Sequence, residues 1–174
     1  MNAPKTILHF TILAIVLILA QAVCNKILLF GVAMPVIFIY WILRLPINLH
    51  LNWVLTMAFA MGLTIDLFND TPGMHALSCT LLATMRHTVF NAYMPREDDM
   101  TDPVPSTSSM GLPAYFKYMA TLVAAYCVLI FVIQAFTLHD LLATLARIGA
   151  SALLSIILMI AIDSLVSTRR EKRL

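Results

Sequence analysis

Long apolar runs, broken at short intervals, dominate this chain and restrict its fold more than any other feature. Six can be marked: Ile7–Cys24, Ile27–Leu43, Leu51–Phe68, Gly73–Phe90, Phe116–Phe136 and Leu141–Val166. A helix needs about 20 apolar residues, range roughly 17–25, to cross a bilayer. Hydrophobic residues make up 61% of the chain and charged residues 11%, with a mean hydropathy of +0.90. Soluble domains sit near about 45–50% and about 25%, so too few polar side chains exist here to coat a water-soluble globule. The expected fold is all-α: a six-helix transmembrane bundle forming one integral membrane domain over residues 1–174.

The first run follows Lys5 and ends near Ala20-Gln21-Ala22, which imitates a signal-peptide cleavage site. Signal cores usually span about 7–15 apolar residues; this run is longer and is expected to stay in the membrane. Cys24, Cys79 and Cys127 show no CxxC spacing and read as small buried hydrophobes. With an N-terminus in the cytoplasm, six spans leave Lys5, Arg44, Arg86, Arg96, Lys117, Arg169, Arg170, Lys172 and Arg173 inside. Only Lys26 and Arg147 fall outside, as the positive-inside rule requires. Both termini are therefore expected to be cytoplasmic. Tyr40, Trp41 and Trp53 then mark the inner interface, and Pro35 is expected to kink the second helix. Residues 91–115, rich in Pro, Ser and acids, read as a flexible cytoplasmic loop with almost nothing to bury.

One segment breaks the pattern: "FAMGLTIDLFNDTPGMHALSC", Phe59–Cys79, which sets two aspartates, an asparagine, Pro-Gly and a histidine within ten residues. Asp66 lies 15 residues after Leu51, roughly 22 Å along a helix, close to the outer interface. Asp70 or Thr71 is expected to cap the fourth helix, with Pro72 in its first turn. Asp66 sits where the helix dipole opposes a negative charge and needs a partner, either His75 or the start of the fourth helix. Structural pairing and a functional role both remain open for it. Gly62, one turn earlier, lets another helix approach beside it. Arg86 is expected to snorkel to the headgroups, Asp163 to pair with Arg170 on its own helix, and the basic tail to attract anionic lipid.

No catalytic constellation emerges. HExxH, paired glutamates and a phosphate-binding glycine loop are all missing. Gly149-Ala150-Ser151 imitates a serine-nucleophile turn, yet no histidine follows His139. The chain is expected to be no enzyme, to need no cofactor or metal, and to bind no nucleic acid. Carriers place polar groups at the bilayer midplane, and here only Thr56, Thr80, Thr84 and Ser155 qualify.

The segment "MGLTIDLFNDTPGMHALSCTLLATMR", Met61–Arg86, resembles the signature region of the rod shape-determining MreD family. The matching residues are Gly62, Leu63, Asp66, Leu67, Phe68, Pro72, Gly73, His75 and Ala76. Cys24–Pro46 is similar to that family's second span. The resemblance implies a fold like the substrate-binding subunits of energy-coupling-factor transporters. It also implies a place in the bacterial inner membrane within the cell-elongation machinery. Expected partners are an MreC-like protein, a RodA-type glycosyltransferase, a penicillin-binding transpeptidase and, indirectly, MreB, besides membrane lipids. Gly62, Asp66, Asn69, Pro72, Gly73, His75 and Arg86 are the partner-binding residues the resemblance suggests. The alternative is a vitamin-binding transporter subunit.

Overall fold

The computed structural model describes residues 3–26, 35–94, 104–135 and 141–171. All regular structure among them is helical: α1 Ala3–Lys26, α2 Ile39–Leu43, α3 Leu51–Asn69, α4 Met74–Tyr93, α5 Thr107–Met110, α6 Leu112–Ala135 and α7 Leu141–Glu171. By length and composition, α3, residues 112–133 of α6 and residues 146–164 of α7 are able to cross a membrane. A shorter apolar stretch, Phe10–Cys24, lies in α1. Five long helices fall where five of the six apolar runs predict them.

α7, and in part α1, is inside-out by soluble standards. On α7 the buried row is Ser151, Ser155, Met159 and Asp163, while Leu153, Ile157 and Ile160 are exposed. Those buried residues recur every four positions, one face of an α-helix. On α1 the outward face carries Leu8, Ile12, Ile15, Leu19 and Val23, and Leu17 and Gln21 turn inward. Polar groups inside and aliphatic ones outside is the distribution that lipid, not water, favours.

The packing follows chain order: α3 against α4, α4 against α6, α6 against α7, with α1 beside α3. The short α2 touches α1, α4 and α6, and its five residues are all buried. The largest fully buried side chains, Tyr40, Tyr118, Tyr126, Phe38 and Phe90, belong to α2, α4, α6 and the segment just before α2.

Three expectations change here. The second run was expected as one helix over Ile27–Leu43, kinked at Pro35. Residues 27–34 lie outside the described residues, and from Pro35 the chain is non-helical until α2 begins at Ile39. Pro35 therefore marks a break, not a kink. Tyr40 and Trp41 turn into the protein rather than outward as belt residues do, leaving Trp53 as the exposed member of the three. Their polar tips explain it, because the Trp41 indole donates to the Phe10 carbonyl at 2.8 Å and Tyr40 reaches Asp163; buried Tyr and Trp need such partners. Finally, the loop 91–115 is not wholly a surface tether. Val104, Ser106 and Met110 are buried, a Ser106–Ser109 capping box opens α5, and α6 already starts at Leu112.

Candidate functional site

The polar residues gather at two levels, about 16–18 Å apart along α4, α6 and α7 by helix rise. The first surrounds the α3–α4 turn. Asp66, buried near the end of α3, spends both carboxylate oxygens on the start of α4. Oδ1 accepts from the His75 backbone N–H at 2.9 Å and from the Thr71 hydroxyl at 2.9 Å. Oδ2 accepts from the Ala76 N–H at 2.9 Å. The first N–H groups of any helix lack intrahelical partners and carry its positive dipole end. Asp66 thus caps α4 from the preceding helix.

That arrangement corrects the local capping scheme. Gly73 holds the N-cap position at φ 81° and supplies no side-chain cap, and Pro72 lies before the helix rather than in its first turn. Asp70 instead closes α3, in the left-handed region at φ 53°, a conformation Asp tolerates better than most residues. Of the two partners open to Asp66, the start of the fourth helix is the one it takes, and His75 contributes through its backbone. Gly62 makes the geometry possible. A Cβ there would lie 2.6 Å from the Ala76 Cα and 2.6 Å from the His75 carbonyl oxygen.

The His75 ring turns inward. Its Nδ1 lies 2.5 Å from the Tyr126 hydroxyl, the two rings are nearly parallel, and Phe38 sets its edge against both, with centroids 6.0 and 5.8 Å away. Beside these rings is a cavity of about 250 Å³, bounded by α1, the Pro35–Phe38 break, the α3–α4 turn, α6 and α7. The break itself is held by distant side chains. Gln21 donates to the Pro35 carbonyl at 2.7 Å and accepts from the Ile37 N–H at 2.8 Å. The Ser155 hydroxyl accepts from the Val36 N–H at 2.9 Å. Irregular backbone inside an apolar bundle persists only where its polar groups are satisfied in this way.

The second level surrounds Asp163. Its Oδ1 accepts from the Tyr40 hydroxyl at 2.8 Å and the Tyr115 hydroxyl at 3.3 Å. Arg44, also buried, donates to Tyr40 at 2.7 Å and pairs with Asp163 at 3.4 Å. Thr107 of α5 reaches the other carboxylate oxygen at 3.5 Å. The expected partner, Arg170, is one whose side chain lies outside the described ones; Arg44 fills the role from α2's end. Arg86 does not snorkel. It is buried, donates to the Leu45 carbonyl and meets the Tyr118 hydroxyl at 3.3 Å, so it clamps the end of α2.

Of the residues singled out from sequence, Gly62, Asp66, Asn69, Pro72, Gly73 and His75 come together at one turn. Arg86 stands at the other level. Sequence reasoning gave no site role to Gln21, Tyr40, Tyr115 and Tyr126. It read Ser151 within an imitated nucleophile turn and Ser155 as a midplane polar group, and did not join them to Asp163, although Ser151, Ser155 and Asp163 stand at helical intervals of four and eight. Among the described residues no cluster of three His, Cys, Asp or Glu is placed to hold a metal ion. Compared with models of known families, with curated proteins and with solved structures, the chain matches none.

Proposed function

We propose that this protein is a non-enzymatic, multi-pass subunit of the bacterial cell-elongation complex. In this reading it lies in the inner membrane with both termini cytoplasmic. It scaffolds an MreC-like protein together with the RodA-type glycosyltransferase and transpeptidase that build peptidoglycan. The observation that carries the reading is the Met61–Arg86 hairpin. Its resemblance to the MreD signature coincides with the residues that rigidify it, Gly62 and Asp66. Beside the lock, Phe59, Leu63 and Leu67 on α3 and Leu77, Leu81 and Met85 on α4 are exposed at four-residue intervals. A fixed pair of apolar stripes suits a partner's membrane helix, since such contacts rest on shape and close packing. Asp66 acts by holding this surface, not by touching the partner.

The test is to tag the C-terminus, extract the chain gently and identify what accompanies it. Recovery of an MreC-like protein supports the reading. Asp66→Ala should reduce that recovery while membrane insertion persists; unchanged recovery would remove Asp66 from the mechanism.

The cavity and the broken second span favour one other reading, a substrate-binding subunit of an energy-coupling-factor vitamin transporter, because interrupted helices commonly line binding sites in carriers. Recovery of ATPases and a coupling subunit would select it.

A further inference from the structure

We infer that Arg86 anchors a binding site for a phosphate group, at the end of the bundle where α2 finishes. Arg86 is 3% exposed. Its Nη2 holds the Leu45 carbonyl and its Nε the Tyr118 hydroxyl, and both acceptors are neutral. Among the described residues one salt bridge forms, Arg44 with Asp163, so no carboxylate there answers the charge on Arg86. A cation taken out of water without a counter-charge carries a large desolvation penalty. The clamp on α2 uses two nitrogens of the guanidinium and leaves its charge unused.

The third nitrogen shows how that charge can be met. Nη1 has no hydrogen-bond partner among the described residues. Yet none of their side-chain nitrogens or oxygens is both fully buried and unpaired, so Nη1 keeps an accessible edge. The chain just past the Leu45 contact comes to the surface, half-buried at Pro46 and Ile47 and exposed from Asn48 to His50. His87 and Lys117, next in sequence to Arg86 and Tyr118, are exposed as well, and so is Asn91 one turn further along α4. These exposed side chains carry hydrogen-bond donors and no carboxylate.

The anion that suits this end accepts from a planar guanidinium and from several donors at once, as phosphate oxygens do. Lipid headgroups supply such oxygens at both faces of a bilayer, so the assignment does not depend on the chain's orientation. Arg86 does not reach out to them. A bilayer accommodates a buried arginine by thinning locally, which brings a phosphate down to it. A free phosphate at the membrane surface offers the same oxygens, and the test separates the two sources.

The inference goes beyond both functional readings, because a scaffold and a carrier subunit can each hold such a site. It is tested on the isolated full-length chain in detergent micelles, so its failure leaves the partner-recovery result untouched. The probes are phosphatidylglycerol, diacylglycerol with the same acyl chains, and inorganic phosphate. Native mass spectrometry should show phosphatidylglycerol held on the order of tenfold more tightly than diacylglycerol. Displacement by inorganic phosphate would extend the site to free phosphate, and retention against it would restrict the site to the lipid headgroup; either supports a phosphate site. Arg86→Gln keeps an amide donor for the Leu45 carbonyl, removes the charge and should abolish the preference in monodisperse, helical protein. A second variant, Arg169→Gln, Arg170→Gln, Lys172→Gln and Arg173→Gln together, leaves Arg86 in place and should keep the preference. Equal retention of the two lipids by the unaltered chain overturns the proposal, as does a preference lost with the basic tail. So does a preference unchanged in folded Arg86→Gln, which would leave the charge to a carboxylate of a protein partner.

Discussion

Gly62→Ala isolates the device that holds the hairpin together. The added Cβ would sit 2.6 Å from both the Ala76 Cα and the His75 carbonyl oxygen, and 2.7 Å from the Ala76 nitrogen. All three are backbone atoms of α4, so no side chain can swing aside. Relief to an ordinary contact of about 3.5–4.0 Å requires the helices to part by about 1 Å. The two 2.9 Å bonds that Asp66 accepts from α4, at His75 and Ala76, then stretch toward about 3.9 Å, beyond hydrogen-bonding range. Interhelical hydrogen bonds in membrane proteins average about 0.6 kcal/mol and reach about 1.7, so losing two removes about 1 kcal/mol. Residual overpacking strain adds about 1–3 kcal/mol. The expected destabilisation is therefore about 2–4 kcal/mol, read from unfolding in mixed micelles of increasing denaturing-detergent fraction. Because the same separation removes both effects, Gly62→Ala and Asp66→Asn combined should cost clearly less than their sum. A Gly62→Ala protein within about 0.5 kcal/mol of the original, or strict additivity, would refute the close-approach mechanism.

Two further substitutions probe the other polar centres. Asp163→Asn leaves Arg44 buried without its counter-charge and should destabilise the chain by about 3–5 kcal/mol. It should also speed protease cleavage near residues 104–111, because Thr107 loses its anchor; an unchanged cleavage rate would argue against that docking. Ser155→Ala strips the acceptor from the Val36 N–H and should cost about 1–3 kcal/mol in the same micelle titration. Gln21→Leu, which frees both the Pro35 carbonyl and the Ile37 N–H, should cost more than Ser155→Ala, and the reverse order would show that the break is held by something else.

The α3–α4 turn shows how far local reasoning reaches. Gly62 and Asp66 share a helix face four residues apart, so the close approach and the need for a partner are both visible in the chain. The capping scheme failed because it sought a donor-satisfying side chain next to the helix it caps. Pro72 lacks an N–H and Gly73 lacks a side chain, and the cap came instead from nine and ten residues upstream. Arg86 misled for a related reason. A cation near a helix end reads as snorkelling, and nothing local reveals that the Leu45 carbonyl and Tyr118 wait inside.

Apolar run length, by itself, determined that this chain is helical and suited to lipid, and it located the long helices, because hydropathy and helix rise are local properties. Only the tertiary structure decided which polar groups meet. Val36 finds Ser155 and Arg44 finds Asp163, each across 119 residues of chain, and the hydroxyl of Tyr126 finds His75 across 51. Such pairings depend on how each helix is rotated and how far it slides against its neighbour. Outward aliphatic faces tolerate many such arrangements. The requirement that every inward polar group be satisfied accepts few, and that requirement left the second span broken beside a cavity.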